Sequence, residues 1–309
     1  MIASVFSKTR PINYVLIGVF IIFPFFLYAI SNSNLDYSWD QILKQAIYLL
    51  IILASSALVN FISLKNNLTK NNNYAALLFF IFLLFFPSIF ENLNILIANF
   101  FLLLSLRRLI SLKSMISSQE KIFDASFWIF LSALFHFWSI FYIILVFVSI
   151  ILHGSRDLKN WLIPFIALFT VIILFFVCNG IYNGILLENI LNKTYISFNF
   201  SYFENIYQNI ALSIFVSVGL LFFVSLLMSI QHKMLNMQSS YKKILFSFVF
   251  GIGIFVLSAN KNNSYLAFSL APLAIIGANF LEDLKTNWIK EITVYILLSI
   301  SIFLFIMQL

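Results

Sequence analysis

The sequence predicts an all-α, polytopic integral membrane protein. Charged residues make up only 9% of the 309 residues and hydrophobic residues 62%, and the mean hydropathy is +1.02. Soluble domains carry about 25% charged residues, so this chain has too little charge to form a water-exposed surface. Long apolar runs separated by short polar breaks indicate membrane-crossing helices, because each crossing needs about 20 apolar residues.

Ten apolar stretches are the predicted membrane segments. They cover residues 13–30, 41–64, 74–90, 93–106, 123–152, 161–178, 207–230, 244–259, 265–281 and 288–307. Stretches 74–90 and 93–106 are short and are divided by Pro87 and Glu91, which predicts a tight hairpin. The first stretch lacks a small-residue cleavage site and is predicted to remain as a span. Residues 1–309 are predicted to form a single transmembrane domain without a separate soluble domain.

Stretch 123–152 allows two interpretations. A single helix of this length would measure about 45 Å, which exceeds the roughly 30 Å of hydrocarbon in a bilayer. The stretch is therefore either one strongly tilted span or two shorter helices that turn near His136.

Charge on the connectors favours the hairpin, because Lys and Arg concentrate on cytoplasmic loops. A hairpin places all six basic connectors on one side, whereas a single span divides them between two sides. These connectors are residues 1–12, 65–73, 107–121, 153–160, 231–243 and 282–290. The prediction is thus about 10–11 membrane helices, with a helical hairpin at 123–152 and a cytoplasmic N-terminus.

Several classes of function are excluded by the residue types. The net charge of +7 is spread over short connectors, where it sets topology rather than indicating nucleic acid. Cys178 is the single cysteine, so no intramolecular disulfide and no thiolate cluster can form. The three histidines lack partners at metal-ligand spacing, and no phosphate-binding glycine loop or nucleophile elbow is present. The sequence predicts no metal, no cofactor, and membrane lipids as its surroundings.

Three positions facing the predicted outer side could carry chemistry. Asp36 and Asp40 follow the first stretch, where a carboxylate can act as a general base; the alternative is a pair of solvated acids, with Asp40 capping the second helix. His136 lies between two phenylalanines in an apolar run. Because an ionisable group in a membrane is costly, it tends to face a cavity or a partner; the alternative is an interfacial histidine bonded to a carbonyl.

The polar break at 260–264 provides a further candidate. Lys261 is the single cation of this short connector and precedes Tyr265. A cation at the mouth of two helices suits an anionic headgroup or a lipid phosphate. The alternative is a lysine that extends its ammonium to the membrane surface.

The stretch SANKNNSYLAFSLAP at 258–272 resembles a late segment of the multi-span GT-C glycosyltransferases, which use polyprenyl-phosphate-linked sugars. Lys261, Tyr265 and Pro272 match that segment in order. Stretch 123–152 resembles the mid-chain helical hairpin of the same enzymes, with His136 near the position of a basic residue. The first outer loop, 31–40, is shorter than in that class, and the soluble outer domain of many members is missing.

This resemblance implies an outward-facing reaction in which Lys261 and Tyr265 hold the lipid phosphate. It also implies that Asp36 or Asp40 is the catalytic base. The whole chain resembles, in addition, uncharacterised multi-span inner-membrane proteins of Bacteroidota, for which no activity is implied.

Three functions therefore remain open. The first is a compact or degenerate glycosyltransferase acting on polyprenyl-phosphate-linked sugars at the outer face. The second is a non-catalytic subunit or scaffold of an envelope assembly with a membrane protein partner. The third, a transporter, is less favoured because ionisable residues within the spans are few and no inverted repeat is visible.

Overall fold

The computed structural model describes residues 2–32, 39–153, 157–181, 194–196, 205–259 and 261–309, and its regular structure is helical. The α-helices in chain order are α1 Ile2–Phe6, α2 Pro11–Asn32, α3 Trp39–Lys65, α4 Tyr74–Leu84, α5 Leu93–Ser111, α6 Ser118–Phe135, α7 Ile143–Leu152, α8 Leu158–Ile181, α9 Ile206–Ser229, α10 Leu235–Leu257, α11 Ala267–Asp283 and α12 Asn287–Met307. Short 3-10 turns lie at Pro87–Glu91, Leu112–Ser114, Phe137–Tyr142, Ile230–His232 and Asn263–Leu266.

The chain is a polytopic α-helical membrane protein, as predicted. Within the described residues, eight helices are long and apolar enough to cross a membrane. Two shorter apolar helical segments, Tyr74–Leu84 and Phe137–Leu152, accompany them. Helix α6 is not one of these eight helices, because it carries three charged residues, Glu120, Lys121 and Asp124, near its start.

Two of the least accessible helices, α4 and α11, form the centre of the bundle. All eleven residues of α4 are buried, and α4 packs directly against α11. Helix α11 also contacts α9 and α10. The predicted stretch 74–90 ends early, at Leu84, because Pro87 has no N–H to continue the helix and forces Phe86 out of the helical conformation (φ −133°, ψ 74°).

Small residues allow the central helices to approach closely. A Cβ atom built on Gly251 of α10 would lie 2.8 Å from the carbonyl oxygen of Phe268 in α11. One built on Gly277 of α11 would lie 2.6 Å from the Phe222 ring and 2.8 Å from Leu78. The scarcity of glycine in the sequence predicts that the helices interlock mainly through large side chains; the structure adds close helix contacts at Gly251 and Gly277.

Stretch 123–152 is a hairpin, and the alternative of one long helix is wrong. Helix α6 ends at Phe135, and His136 adopts an extended backbone (φ −138°, ψ 105°). The turn is held by the hydroxyl of Ser139, which donates to the carbonyl of His136 at 2.8 Å and lies 2.9 Å from the hydroxyl of Ser132. Helix α7 then returns along α6.

The basic connectors meet at one end of the bundle, here called the basic end. The backbone N–H of Ala3 donates to Glu291 at 3.0 Å, and that of Lys70 donates to Glu282 at 2.8 Å. Lys233 pairs with Asp283 at 3.1 Å. His153, which follows α7, lies against Lys243 of α10. The grouping expected from charge is therefore confirmed, while its cytoplasmic location stays a prediction.

The described parts of connectors 31–40, 88–92 and 260–264, which are predicted to face outward, lie at the opposite end of the bundle. The hydroxyl of Tyr28 donates to Glu91 at 2.7 Å, and that of Ser31 donates to the carbonyl of Leu309 at 3.0 Å. The turn Pro87–Glu91 contacts the turn Asn263–Leu266. The polar break that precedes α11 is thus part of this end.

Candidate functional site

The candidate site lies at the break between α10 and α11, at the end of the bundle opposite the basic end. Helix α10 ends at Leu257 because Ser258 takes an extended backbone (φ −61°, ψ 136°). A 3-10 turn then begins at Asn263, where the side chain of Asn262 accepts a hydrogen bond from the N–H of Ser264 at 3.1 Å. This local capping leaves Lys261 beside the last carbonyls of α10, which have no hydrogen-bond partner within the helix.

Lys261 is buried, with only 6% of its surface exposed. Its ammonium donates to three carbonyls near the end of α10, those of Val256 at 2.6 Å, Ser258 at 3.3 Å and Phe255 at 3.4 Å. The last carbonyls of a helix lack partners and carry a partial negative charge, so the ammonium stabilises the helix end. Burial lowers the pKa of Lys261, and the alternative of a lysine that extends to the membrane surface is wrong.

The side-chain rings of His136 and Tyr265, two of the predicted site residues, lie next to each other. Their ring centroids are 4.8 Å apart, and the His136 ring stacks on Phe268 at 5.4 Å. Nε2 of His136 lies 3.0 Å from the hydroxyl oxygen of Ser258. The hairpin turn is therefore joined to the end of α10 by the His136–Ser258 hydrogen bond and to Tyr265 and Phe268 by ring contacts.

The hydroxyl of Ser258 has two partners within reach. Its oxygen lies 2.6 Å from the carbonyl of Ile254, which can only accept, and 3.0 Å from Nε2 of His136, whose role depends on the tautomer of the ring. When the hydroxyl donates to Ile254, its oxygen accepts from Nε2–H. In that arrangement the pair has the opposite polarity to a serine nucleophile and its base.

Of the two predicted acids, the structure describes Asp40, and it has no contact with this cluster among the described residues. Asp40 is exposed in the first turn of α3, where the positive end of the helix dipole stabilises a carboxylate. It forms none of the hydrogen bonds or ion pairs that the structure describes. Asp36 lies outside the described residues, so the proposed catalytic role of both acids stays a prediction.

The sequence interpretation missed two polar residues that hold helices together in the structure. Ser258 directly follows α10, before the polar break, and it is the partner of His136. Lys243 was assigned to a connector, yet it is fully buried in α10. Its ammonium donates to the carbonyl of Leu109 at 2.6 Å and lies 3.4 Å from Nε2 of His153. Its position among the buried residues Ser240, Ile244 and Ser247 could have indicated this.

Metal chemistry has no candidate site in the part of the chain that the structure describes. There, no three His, Cys, Asp or Glu side chains lie together in a way that could hold a metal ion.

A family described as "Family of unknown function (DUF6427)" matches this chain over residues 1–309. No curated protein and no solved structure matches it.

Proposed function

The chain belongs to the DUF6427 family, whose function is unknown, and we propose that it is a non-catalytic subunit or scaffold of an envelope assembly in the cell inner membrane. One observation carries this proposal: the candidate reactive groups at the opposite end bind the chain's own backbone. Lys261 holds the carbonyls at the end of α10, and Ser258 links Ile254 to His136. These contacts fix the junction of α6, α10 and α11, which is what a scaffold requires.

The polarity of the cluster supports the same proposal. A hydroxyl nucleophile needs a neighbouring base that accepts its proton. The Ser258 hydroxyl lies 2.6 Å from a helix carbonyl that takes its proton instead, and in that arrangement His136 donates to the serine oxygen. The ammonium of Lys261 would have to exchange its carbonyl partners before it could hold a substrate phosphate.

Complementation of a deletion strain tests the proposal through the two outer acids. Asp36→Asn and Asp40→Asn are expected to keep full function, because a scaffold needs no general base. Lys44→Gln, another exposed position on α3, is the matched surface control. Loss of function in either acid variant, at a normal amount of folded protein, would overturn the proposal.

Lys261→Met provides the structural counterpart. We expect it to lower the stability of the folded protein by about 1–3 kcal/mol, because carbonyls at a buried helix end lose their donor. The full chain, purified in a mild detergent, should bring one membrane protein with it in a fixed ratio. A chain that always purifies as an isolated monomer would contradict a scaffold role.

A second candidate is a compact GT-C-like enzyme that handles polyprenyl-phosphate-linked sugars at the outer face. The observation in its favour is that Lys261, Tyr265 and His136, which come from two distant parts of the chain, meet at the end remote from the basic connectors. In this proposal Lys261 and Tyr265 hold the lipid phosphate, and Asp36 or Asp40 takes the proton of the acceptor hydroxyl.

Turnover of a polyprenyl-phosphate-linked sugar by the purified full chain tests this second candidate. An enzyme would lose about 100-fold or more of its rate when its general base is replaced by Asn. Lys44→Gln should leave that rate unchanged. Absence of turnover, together with full complementation by both acid variants, would exclude the enzyme.

A further inference from the structure

A groove opens on the membrane-facing surface between α2, α3 and α5, and it runs to the basic end. Its volume is about 660 Å³, within the range of ligand sites in proteins. Six residues of α3 line it at spacings of three and four, which places them on one helix face: Ala54, Ala57, Leu58, Phe61, Leu64 and Lys65. We refer to it as the α3 groove.

The length of the α3 groove matches one leaflet of a bilayer. From Ala54 to Lys65 the helix rises about 16 Å at 1.5 Å per residue, and half of the hydrocarbon core measures about 15 Å. The end near the membrane centre is lined by the small residues Ala54 and Ala57 together with Phe100 of α5. Space for an extended chain is thus present from the membrane surface to the midplane.

Two cations stand at the mouth of the α3 groove, both over the ring of Phe61. The ammonium nitrogen of Lys65 lies 5.0 Å from the centroid of Phe61, and the guanidinium carbon of Arg107 lies 4.7 Å from it. Among the described residues, neither cation pairs with a carboxylate. The neighbouring Arg108 does pair, with Asp124 at 2.9 Å.

The difference between the two adjacent arginines gives the mouth of the groove its charge. Arg108 is neutralised by an acid, whereas Arg107 is held by an aromatic face that leaves its N–H groups available to an anion. The exposed Tyr14 of α2 also lines the groove. An anion between Lys65 and Arg107 would thus receive charge-assisted hydrogen bonds.

We propose that the α3 groove binds a phospholipid with a net anionic headgroup, its phosphate between Lys65 and Arg107 and one acyl chain along α3 to Ala54. An acyl chain is already in an apolar solvent, so its transfer to the groove contributes little affinity. Selectivity comes from the headgroup, because basic residues near a membrane surface attract anionic lipids. This lipid site adds to the scaffold role and does not depend on it.

Native mass spectrometry of the purified full chain, with phosphatidylglycerol and phosphatidylcholine as probes, tests the charge part of the proposal. Each cation strengthens binding of an anionic lipid by about fivefold, so Lys65→Gln with Arg107→Gln should weaken phosphatidylglycerol binding by about 25-fold. The control replaces Lys8 and Lys285, two exposed lysines of the basic end, by Gln and removes the same charge. Equal losses in both double variants, or equal affinity for the two lipids, would overturn the proposal.

Ala57→Leu tests the acyl chain, because Ala57 is exposed and the larger side chain would fill the groove without disturbing the core. We expect phosphatidylglycerol binding to fall at least tenfold, because a lipid whose chain is excluded from the groove also loses the contact of its phosphate with Lys65 and Arg107. Thermal unfolding should be unchanged. Leu50→Phe, at a position of α3 that is 67% exposed and outside the groove, should bind like the wild type. If Ala57→Leu binds normally, or soluble glycerol phosphate competes with equal affinity, the site would be for a free phosphate and the lipid proposal would fail.

Discussion

Helices α8 and α11 differ in opposite directions in mean hydropathy and in burial. The α8 segment Leu158–Ile181 has a mean hydropathy of 2.8, yet only 17% of its spanning window is buried inside the protein. The segment Asn263–Asp283, which contains α11, has a mean hydropathy of 1.6, and 89% of its window is buried. The more hydrophobic helix is therefore the more exposed one.

This inversion follows from lipid being the solvent. Lipid tails are as apolar as leucine, so moving an apolar side chain from lipid to the protein interior yields almost no hydrophobic gain. The buried helices are instead those that make close helix contacts and carry polar groups. In α11 the hydroxyl of Ser269 donates to the carbonyl of Leu266 at 2.7 Å, and Asn279 donates to that of Ile275 at 3.0 Å. In α8, Phe169 and Ile173 face outward.

The largest effect expected from this difference is at the glycines. Gly251→Leu should destabilise the protein by about 3 kcal/mol or more, because its Cβ would lie within 2.9 Å of the backbone of Phe268, which cannot rotate away. Gly18 of α2 has no atom within 4 Å of a built Cβ. Gly18→Leu should thus be neutral or stabilising by up to about 1 kcal/mol, since leucine is the better helix former.

Thermal unfolding in detergent measures the two glycine variants side by side. Opposite signs, or at least a clear gap between them, are expected. Equal destabilisation would mean that the buried centre is no more tightly packed than the lipid-facing surface.

A smaller effect is expected where a phenylalanine is shortened. Phe82 of α4 is fully buried and meets the rings of Phe215 and Phe222 at centroid distances of 5.8 and 6.4 Å. Phe82→Ala should cost about 2–3 kcal/mol, because a cavity remains even though the transfer term is small in lipid. Phe169→Ala on α8 should change stability by less than about 0.5 kcal/mol, and similar losses in both would contradict the comparison.

Much of the fold was predictable from the sequence because it depends on local properties. Apolar run length and connector charge indicated the spans, the hairpin at His136 and the grouping of the basic connectors. Which helices lie at the centre was not predictable, since hydropathy ranks α8 above α11. Lys243 was likewise placed in a connector, because its burial depends on the carbonyl of Leu109, 134 positions away in the chain.

At the candidate site, a shared side of the bundle was predictable but the geometry was not. Lys261, Tyr265 and His136 were expected on one side; the structure places the His136 ring against that of Tyr265 and connects His136 with Lys261 through Ser258. Their functional roles stay predictions. The carbonyl partners of Lys261 could not be predicted, because they depend on Ser258 leaving the helical conformation. The α3 groove also escaped prediction, since Phe61, Lys65 and Arg107 come from two helices whose contact is tertiary.

The smallest expected effect is a pH dependence at His153, which lies between the buried centre and the basic end. Nδ1 lies 2.8 Å from the carbonyl of Ser149, and Nε2 lies 3.4 Å from the ammonium of Lys243. Nε2 can accept from that ammonium only when the ring is neutral, with the hydrogen on Nδ1. Burial is the main cause that lowers the pKa of His153 below 6.5, and the charge of Lys243 lowers it further.

The sign of the pH effect follows from this lowered pKa. As pH falls below 6.5, the unfolded chain binds a proton at His153 before the folded protein does, so stability decreases from about pH 6.5 downward and is constant above it. His153→Gln should reduce the loss of thermal stability between pH 7 and pH 5. His232→Gln, at an exposed histidine of the same end, should keep the full loss. If both variants lose stability equally, His153 is protonated in the folded protein, and the buried region extends less far toward the basic end than its contact with Lys243 indicates.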